Sequence, residues 1–188
     1  MTPSQSLDHL FADLLAQQRS GTTKLPPVHL WDPPTSGIMD LVVDREGRWI
    51  HEGGEIKRER LVKLFSTILK REGEHYFLVT PVEKWQIRVD FAPFYIMAAS
   101  RENRDSQQAI SLTTSTGETV VISAENPLWV DDSEGTSDPI PLVTVRGNLP
   151  GLVSRTVFYQ LVEWGHPGKD GGLYVESMGS QFLLGMMD

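Results

Sequence analysis

The stretch YFLVTPVEKWQIRVDFAPF, residues 76–94, has an alternation of apolar and polar residues that indicates a β-sheet protein. Tyr76–Val79 predicts a strand, and Thr80-Pro81 predicts a turn. From Lys84 to Phe91 every second residue is apolar, which is typical of a strand with one buried face. The other face would carry Lys84, Gln86, Arg88 and Asp90. These charges form either a functional site or the solvated side of a hairpin.

Outside this stretch the sequence predicts three helices and several short strands. The helices are expected at about residues 4–18, 57–71 and 150–164, where apolar residues recur at three- and four-residue spacing. The proline-rich segment at 22–37 predicts an extended arm, because each proline disfavours helix at the residue before it. Beyond Pro93, strand-like segments alternate with turn clusters. This mixture predicts an α+β protein with mostly antiparallel sheets.

The two halves of the chain show a faint internal repeat. Each half runs strand, turn, helix, loop and strand, and an offset of 93 residues relates Leu64, Phe65, Ile68 and Leu69 to Val157, Phe158, Leu161 and Val162. Helical periodicity alone also produces such matches, so duplication of a strand-helix-strand core is one of two readings. We predict an N-terminal helix and arm in residues 1–36, a first α+β half in 37–92 and a second, β-rich half with one helix in 93–188. A ligand site is then expected at the interface of the halves.

Composition limits the class of function. Seventeen basic and twenty-five acidic residues give a net charge of -8, which opposes binding to nucleic acids. The longest apolar run, Phe91–Ala99, is far shorter than the roughly 20 residues of a membrane-spanning helix. The N-terminus has no basic region before its apolar residues, so we predict a cytoplasmic protein without a membrane span. The absence of cysteine excludes thiol chemistry.

No catalytic or metal-binding motif is found in the sequence. The histidines at positions 9, 29, 51, 75 and 166 have no ligand spacing, and there is no nucleophile elbow or Walker loop. We therefore predict no catalytic residue, no metal and no cofactor. Gly53-Gly54 and Arg146-Gly147-Asn148 precede predicted helices and could cradle a phosphate, although ordinary turns need the same residues. The basic side of helix 57–71 could meet an anionic partner, but such faces are usually only solvated.

Five blocks of the sequence resemble, in their order and spacing, the bacterial family known as Domain of Unknown Function 1285. The blocks are GRWIHEGGEIKRERLVKLFSTIL, YFLVTPVEKWQIRV, PF, NPLWV and VRGNLPGLVSRTVFYQLV. The resemblance covers about Gly47 to the C-terminus and implies a duplicated α+β fold whose C-terminal half superficially resembles a pleckstrin-homology domain. It also implies a nucleotide-like ligand at the interface of the halves and a role in signal transduction, with no assigned reaction.

The resemblance carries over to residues in both halves. The blocks most typical of the family contain Thr80, Pro81, Val82, Glu83 and Lys84, then Val145, Arg146, Arg155, Phe158 and Tyr159. The family pattern has a basic residue after Asn-Pro-Leu or His-Pro-Leu, whereas this chain has Trp129 there. That departure weakens any argument for an anion site at Trp129.

Charge and strand parity single out a few of these residues. If the strand begins at Val82, Glu83 lies on the buried face with Trp85 and needs a cation. The candidate cations are Arg146 and Arg155. Arg155, within an apolar helix, is expected to be half-buried, and we predict that it pairs with Glu83. Lys84 and Arg146 would bind anionic oxygens, and Trp85 or Tyr159 would stack on or line the pocket. The predicted ligand-binding residues are Thr80, Glu83, Lys84, Trp85, Arg146, Arg155 and Tyr159.

Three classes of function remain open. The first is a non-enzymatic ligand-binding or signalling module for a small anionic or nucleotide-like molecule. The second is an adaptor that binds a protein partner through a sheet edge or the N-terminal helix and arm. The third, ranked last, is a hydrolase that uses Glu83 or Asp90 as general base, which requires a perturbed carboxylate in a cleft.

Overall fold

The computed structural model describes residues 9, 10, 12, 14–16, 25–131 and 138–187. The predicted N-terminal helix lies partly outside these residues, and those described between 9 and 16 are helical. Two further α-helices are α1 (Glu59–Thr67) and α2 (Arg155–Glu163), and Val28–Leu30 is a 3-10 helix. The strands are β1 (Thr35–Val43), β2 (Trp49–His51), β3 (Gly54–Glu55), β4 (Leu69–Glu72), β5 (His75–Val79), β6 (Lys84–Val89), β7 (Phe94–Arg104), β8 (Gln107–Thr114), β9 (Thr119–Val121), β10 (Leu128–Asp131), β11 (Ile140–Arg146), β12 (Leu149–Val153), β13 (His166–Pro167), β14 (Gly172–Ser177) and β15 (Ser180–Met186).

The chain forms two compact units. The first contains the described residues up to Asp44 together with Arg48–Asp90, and the second contains Arg45–Gly47 and the described residues from Phe91 onward. The turn between β1 and β2 therefore groups with the second unit.

The first unit is built on a six-stranded sheet with the order β3-β2-β1-β6-β5-β4. Its first and last strands, β1 and β6, pair in parallel at the centre, and the other pairs are antiparallel. Helix α1 lies between β3 and β4 in the chain and buries Leu61, Leu64 and Phe65. Phe65 stacks on Trp49 of β2 with ring centroids 6.3 Å apart. Burial of these apolar faces is the main favourable term that holds helix and sheet together.

The second unit repeats this sheet topology. Its order is β10-β11-β12-β7-β8-β9, and the first and last strands, β7 and β12, again pair in parallel at the centre. A separate antiparallel sheet of β13, β14 and β15 follows. The predicted α+β class, the predominance of antiparallel pairing and the duplication are confirmed.

The helices do not occupy equivalent positions in the repeat. Helix α1 comes between the third and fourth strands of its sheet, whereas α2 follows the sixth strand of the other sheet. The 93-residue offset therefore relates two helices that differ in their place within the repeated topology. The repeated feature is the sheet, because six strands of each unit correspond in order and in direction of pairing.

The helices predicted at 57–71 and 150–164 are both shorter than expected. The first ends at Thr67, whose hydroxyl donates to the Leu64 carbonyl, and β4 begins two residues later. Gly73, two residues beyond the predicted end of that helix, lies in the β4–β5 hairpin with φ of +58°. The predicted helix at 150–164 likewise begins only at Arg155, because the residues before it form β12 and pair with β7 and β11.

Candidate functional site

A cavity of about 550 Å³ opens in the second unit beside the first turn of α2. Aromatic and apolar side chains form most of its wall, and four charged side chains join them. The lining residues are Arg45, Glu46, Tyr95, Asp138, Pro139, Ile140, Pro141, Leu152, Val153, Ser154, Arg155, Phe158 and Tyr159. A concave, largely apolar site with a few polar groups is the usual form of a small-molecule pocket.

Helix α2 positions one end of this cavity. Ser154 caps the helix, and its side-chain oxygen accepts a hydrogen bond of 3.3 Å from the Val157 amide. The cap places Arg155 and Tyr159, four residues apart, on adjacent turns where side chains are neighbours. Tyr159 is 61% exposed, so its ring is available to a ligand.

Arg155 does not have the environment predicted from the sequence. Its guanidinium donates to the carboxylate of Asp138, and the two side chains are 75% and 70% exposed. The expectation of a half-buried Arg155 is therefore wrong, because the arginine lies on the solvent side of α2. Since Arg155 is solvated and bonded to Asp138, burial no longer argues for the predicted pairing with Glu83.

Arg45 is a pocket residue that the sequence reasoning missed. Its guanidinium carbon lies 4.6 Å from the centroid of the Phe91 ring, a distance at which cation and ring attract. Phe91 itself packs against the buried cluster of Ala92, Ile140 and Leu142. Within the described residues, Arg45 has no carboxylate partner. No motif or spacing in the sequence marks Arg45, because its place at the cavity depends on what the β1–β2 turn contacts in the fold.

The turn that carries Arg45 depends on Gly47. The φ of Gly47 is +77°, a conformation that side chains disfavour, and a Cβ at this position would lie 2.4 Å from Cβ of Tyr95. Tyr95 is itself a lining residue. Glycine thus permits the close approach that places Arg45 at the cavity.

Arg146 is engaged inside the second unit and does not line the cavity. It donates to Glu118, with side-chain exposures of 19% and 21%, and its guanidinium carbon lies 5.1 Å from the Phe94 ring centroid. The anionic oxygen that Arg146 meets is therefore one of the protein's own. Gly147 and Asn148 form the turn between β11 and β12, and Gly53 lies in the turn between β2 and β3. Neither candidate phosphate cradle therefore lies directly before a helix, as the sequence had suggested.

Lys84 in the first unit departs from the predicted alternation. Its side chain is only 9% exposed, and its ammonium lies 3.1 Å from Glu72 and 3.3 Å from Asp32. Lys70 holds the other oxygen of Glu72 at 2.9 Å and donates to the Trp31 carbonyl. Hydrogen bonding to Glu72 raises the pKa of Lys84, and hydrogen bonding from Lys70 lowers the pKa of Glu72. This network ties the proline-rich arm to β4 and β6.

The remaining predicted residues of the first unit have local partners or packing roles. Thr80 is buried, and its hydroxyl oxygen accepts from the amides of Val82 and Glu83 at 3.3 and 3.0 Å, which shapes the turn before β6. Glu83 is half-buried. The indole nitrogen of Trp85 is buried with no acceptor among the described residues, and its ring lies against Gly37.

Arg88 and Asp90, two charges of the stretch 76–94, are exposed to solvent and pair with each other. Arg88 donates to Asp90 at 3.0 Å, and the two side chains are 71% and 42% exposed. Exposed pairs of this kind contribute about 0–1 kcal/mol to stability. Arg88 lies on the solvated side of β6 and Asp90 directly follows the strand, whereas Lys84 belongs to the separate buried network.

The described part of the chain has neither a candidate metal site nor a candidate membrane-spanning helix. No group of three or more histidine and acidic side chains there could hold a metal ion. The same residues include no helix of the length and apolarity that a membrane crossing requires.

The repeated sheets, with a pocket in the second unit, define an α+β protein of two related units. Family models identify the two parts separately. The N-terminal domain of Domain of Unknown Function 1285 matches residues 26–92, and the C-terminal domain of the same family matches residues 93–184. The chain belongs to this family, as its resemblance indicated.

Two solved structures are similar to the chain. A crystal structure of a DUF1285 family protein from Silicibacter pomeroyi DSS-3 is 40% identical, with a TM-score of 0.81 over 92% of this chain and 94% of that chain. A DUF1285 family protein from Shewanella baltica OS155 is 24% identical, with a TM-score of 0.52 over 66% of this chain and 91% of that chain, and it supports the fold alone. Among curated proteins, none matches.

Proposed function

We propose that the protein is a non-enzymatic module that binds a small anionic, nucleotide-like molecule in the pocket of its second unit and serves in signal transduction. The observation that carries this proposal is the 550 Å³ cavity that joins an aromatic wall to two arginines. A cavity of this size accepts a ring system with a polar substituent. A cytoplasmic location is part of the same proposal.

The wall supports a ligand with a flat ring. Tyr95, Phe158 and Tyr159 line the cavity, and aromatic side chains favour offset-stacked or edge-to-face contact with another ring. Ile140 and Leu152 offer apolar contact on β11 and β12. Such a wall favours a compound with an apolar ring, which would lie against these side chains.

The arginines support an anionic group on that ring. Guanidinium groups bind carboxylates and phosphates through two parallel hydrogen bonds. Arg155 is the first residue of α2, so the positive end of the helix adds to its charge. Ser154, the hydroxyl side chain that joins the tyrosines in the lining, caps the helix, and we propose binding without a reaction.

Thermal-shift measurements against a panel of nucleotides and ring-bearing metabolites test the proposal. A ligand at about 100 times its Kd adds about 2.7 kcal/mol of stability, or several degrees in Tm for a chain of this size. Tyr159→Ser should remove most of the shift, whereas Trp129→Ser, at an exposed aromatic outside the lining, should retain it. A panel without any shift contradicts the proposal, and capture of a protein partner would then favour the adaptor.

A further inference from the structure

We infer that Arg45, and not Arg155, binds the acidic group of the ligand, and that the ligand is a ring compound with one such group. This inference rests on the proposed function. It assigns the specificity of the pocket to a residue in the β1–β2 turn.

The first step is that a contact with an aromatic ring orients the guanidinium of Arg45, an exposed side chain, while its donors stay available. One face is stacked 4.6 Å from the Phe91 ring centroid, and Phe91 is fixed by the buried cluster beneath it. Stacking uses the flat face of a guanidinium and leaves the N–H groups at its edge to bind an acid. A guanidinium that already lies on a ring loses less conformational freedom when it binds an acid, so each hydrogen bond formed there costs less entropy.

The second step is a comparison of the two arginines. Arg155 is already bonded to Asp138 in the lining, so the two charges cancel. An acid that bound Arg155 would have to displace that carboxylate and leave it beside the new anion. Glu46, the other carboxylate of the lining, makes an interaction of its own. Arg45 is thus the cation whose charge a ligand can neutralise without breaking an ion pair.

The third step concerns the charge of the ligand. One uncompensated cation matches one acidic group, and further negative charge would enter a chain whose net charge is -8. A polyphosphate therefore fits the pocket less well than a ring carboxylate. The aromatic wall supplies contact for the ring, and Arg45 supplies the contact for the acid.

Titrations with matched probes test this inference. The probes are 2-naphthoate, its neutral twin 2-naphthamide, and ATP as a polyanion, and Kd is measured by calorimetry at constant salt. We expect 2-naphthoate to bind at least about tenfold more tightly than 2-naphthamide, because only the acid forms hydrogen bonds in which both partners are charged. ATP should bind more weakly than 2-naphthoate.

Three variants assign the effect to a residue. Arg45→Gln should raise the Kd of 2-naphthoate about tenfold and leave that of 2-naphthamide unchanged. Arg155→Gln should change the Kd of 2-naphthoate by less than about threefold, which is below the 1.4 kcal/mol of a tenfold effect. Arg101→Gln is the matched control, because Arg101 also stacks on a ring, that of Trp164, but lies outside the lining.

The outcomes separate this inference from the proposed function. Equal affinity for the acid and its amide, or a larger effect of Arg155→Gln than of Arg45→Gln, overturns the inference. Failure of both naphthalene probes to bind, while the metabolite panel gives a hit, also overturns the inference and leaves the proposed function standing. A metabolite panel without a hit overturns both. Unchanged Tm values for the variants show that folding is intact.

Discussion

At the scale of single residues, Lys84 shows how a buried charge is stabilised. Glu72 and Asp32 lie within 3.3 Å of its ammonium, and the Phe77 ring centroid is 5.3 Å away. Asp32 is 82% exposed, so water solvates it whether or not Lys84 is present. Glu72 is therefore the partner on which the buried cation depends.

We expect Glu72→Gln to lower the Tm by more than Lys84→Met does. The first change leaves a buried ammonium without its nearest carboxylate, whereas the second removes the charge and leaves Glu72 paired with Lys70. Thermal unfolding of both variants beside Glu125→Gln, at an exposed carboxylate, measures the difference. A smaller loss for Glu72→Gln would show that the network contributes little to stability.

The pH dependence of stability follows from the same pair. The pKa of Glu72 is lowered in the folded protein from its usual 4.5, so its contribution is present above pH 4.5 and is lost as the pH falls through the folded-state pKa. The pKa of Lys84 is raised from 10.5, so its contribution is present below pH 10.5 and is lost as the pH rises through the folded-state pKa. Urea unfolding between pH 3 and 6 should show a shallower acid loss for Glu72→Gln than for the wild type. Parallel curves would refute this assignment.

The sequence predicted the contrast between Ile87 and Arg88 in β6 but not the burial of its first residue, Lys84. Ile87 is buried and Arg88 is exposed, as the pattern requires. Lys84 is covered because Glu72 and Asp32, 12 and 52 residues away, meet it in the fold. Local alternation holds no information about such distant partners.

At the scale of elements, the β1–β2 turn depends on the close approach of Gly47 to Tyr95, and substitution of two glycines of the same conformation tests this. Gly47 and Gly53 both have φ of +77°, but only Gly47 has a neighbour within reach of an added Cβ. We expect Gly53→Ala to cost about 1–2 kcal/mol from backbone strain, and Gly47→Ala to cost about 1–3 kcal/mol more from contact with Tyr95.

Urea unfolding of the two variants measures this difference, and a titration with 2-naphthoate adds a second readout. Gly47→Ala should weaken binding, because the turn that positions Arg45 must move, whereas Gly53→Ala should leave binding unchanged. Equal costs in stability would mean that Tyr95 yields without loss and that the close approach is unimportant.

The sequence predicted the positions of the two helices but only some of the residues that line the pocket. The apolar stripes of α1 and α2 were recognised, yet both helices are shorter than predicted because β4 and β12 take adjoining residues into ladders. Tyr159 and Arg155 do line the cavity, whereas Thr80, Lys84 and Arg146 serve local structure. The spacing of residues in the sequence could not identify Arg45 as a pocket residue, because that role depends on the grouping of the β1–β2 turn with the second unit.

At the scale of the whole molecule, the duplication lies in the topology of the sheets. In each unit, two three-stranded antiparallel groups are joined by the parallel pairing of the first and last strands. That pairing joins residues far apart in the chain, so each sheet closes only when its whole unit is present. Each unit also has its own buried helix face, with Leu64 in α1 and Leu161 in α2.

This organisation predicts that damage to a core acts first within its own unit. Leu64→Ala and Leu161→Ala remove the same side chain from two buried helix faces, at a cost of about 2–5 kcal/mol each. In hydrogen exchange, Leu64→Ala should lower the protection of amides in β4–β6 more than that of amides in β7 and β8, and Leu161→Ala should do the reverse. Equal loss throughout the described strands in both variants would show that the two sheets unfold as one cooperative unit, and the duplicated topology would then carry no separate stability.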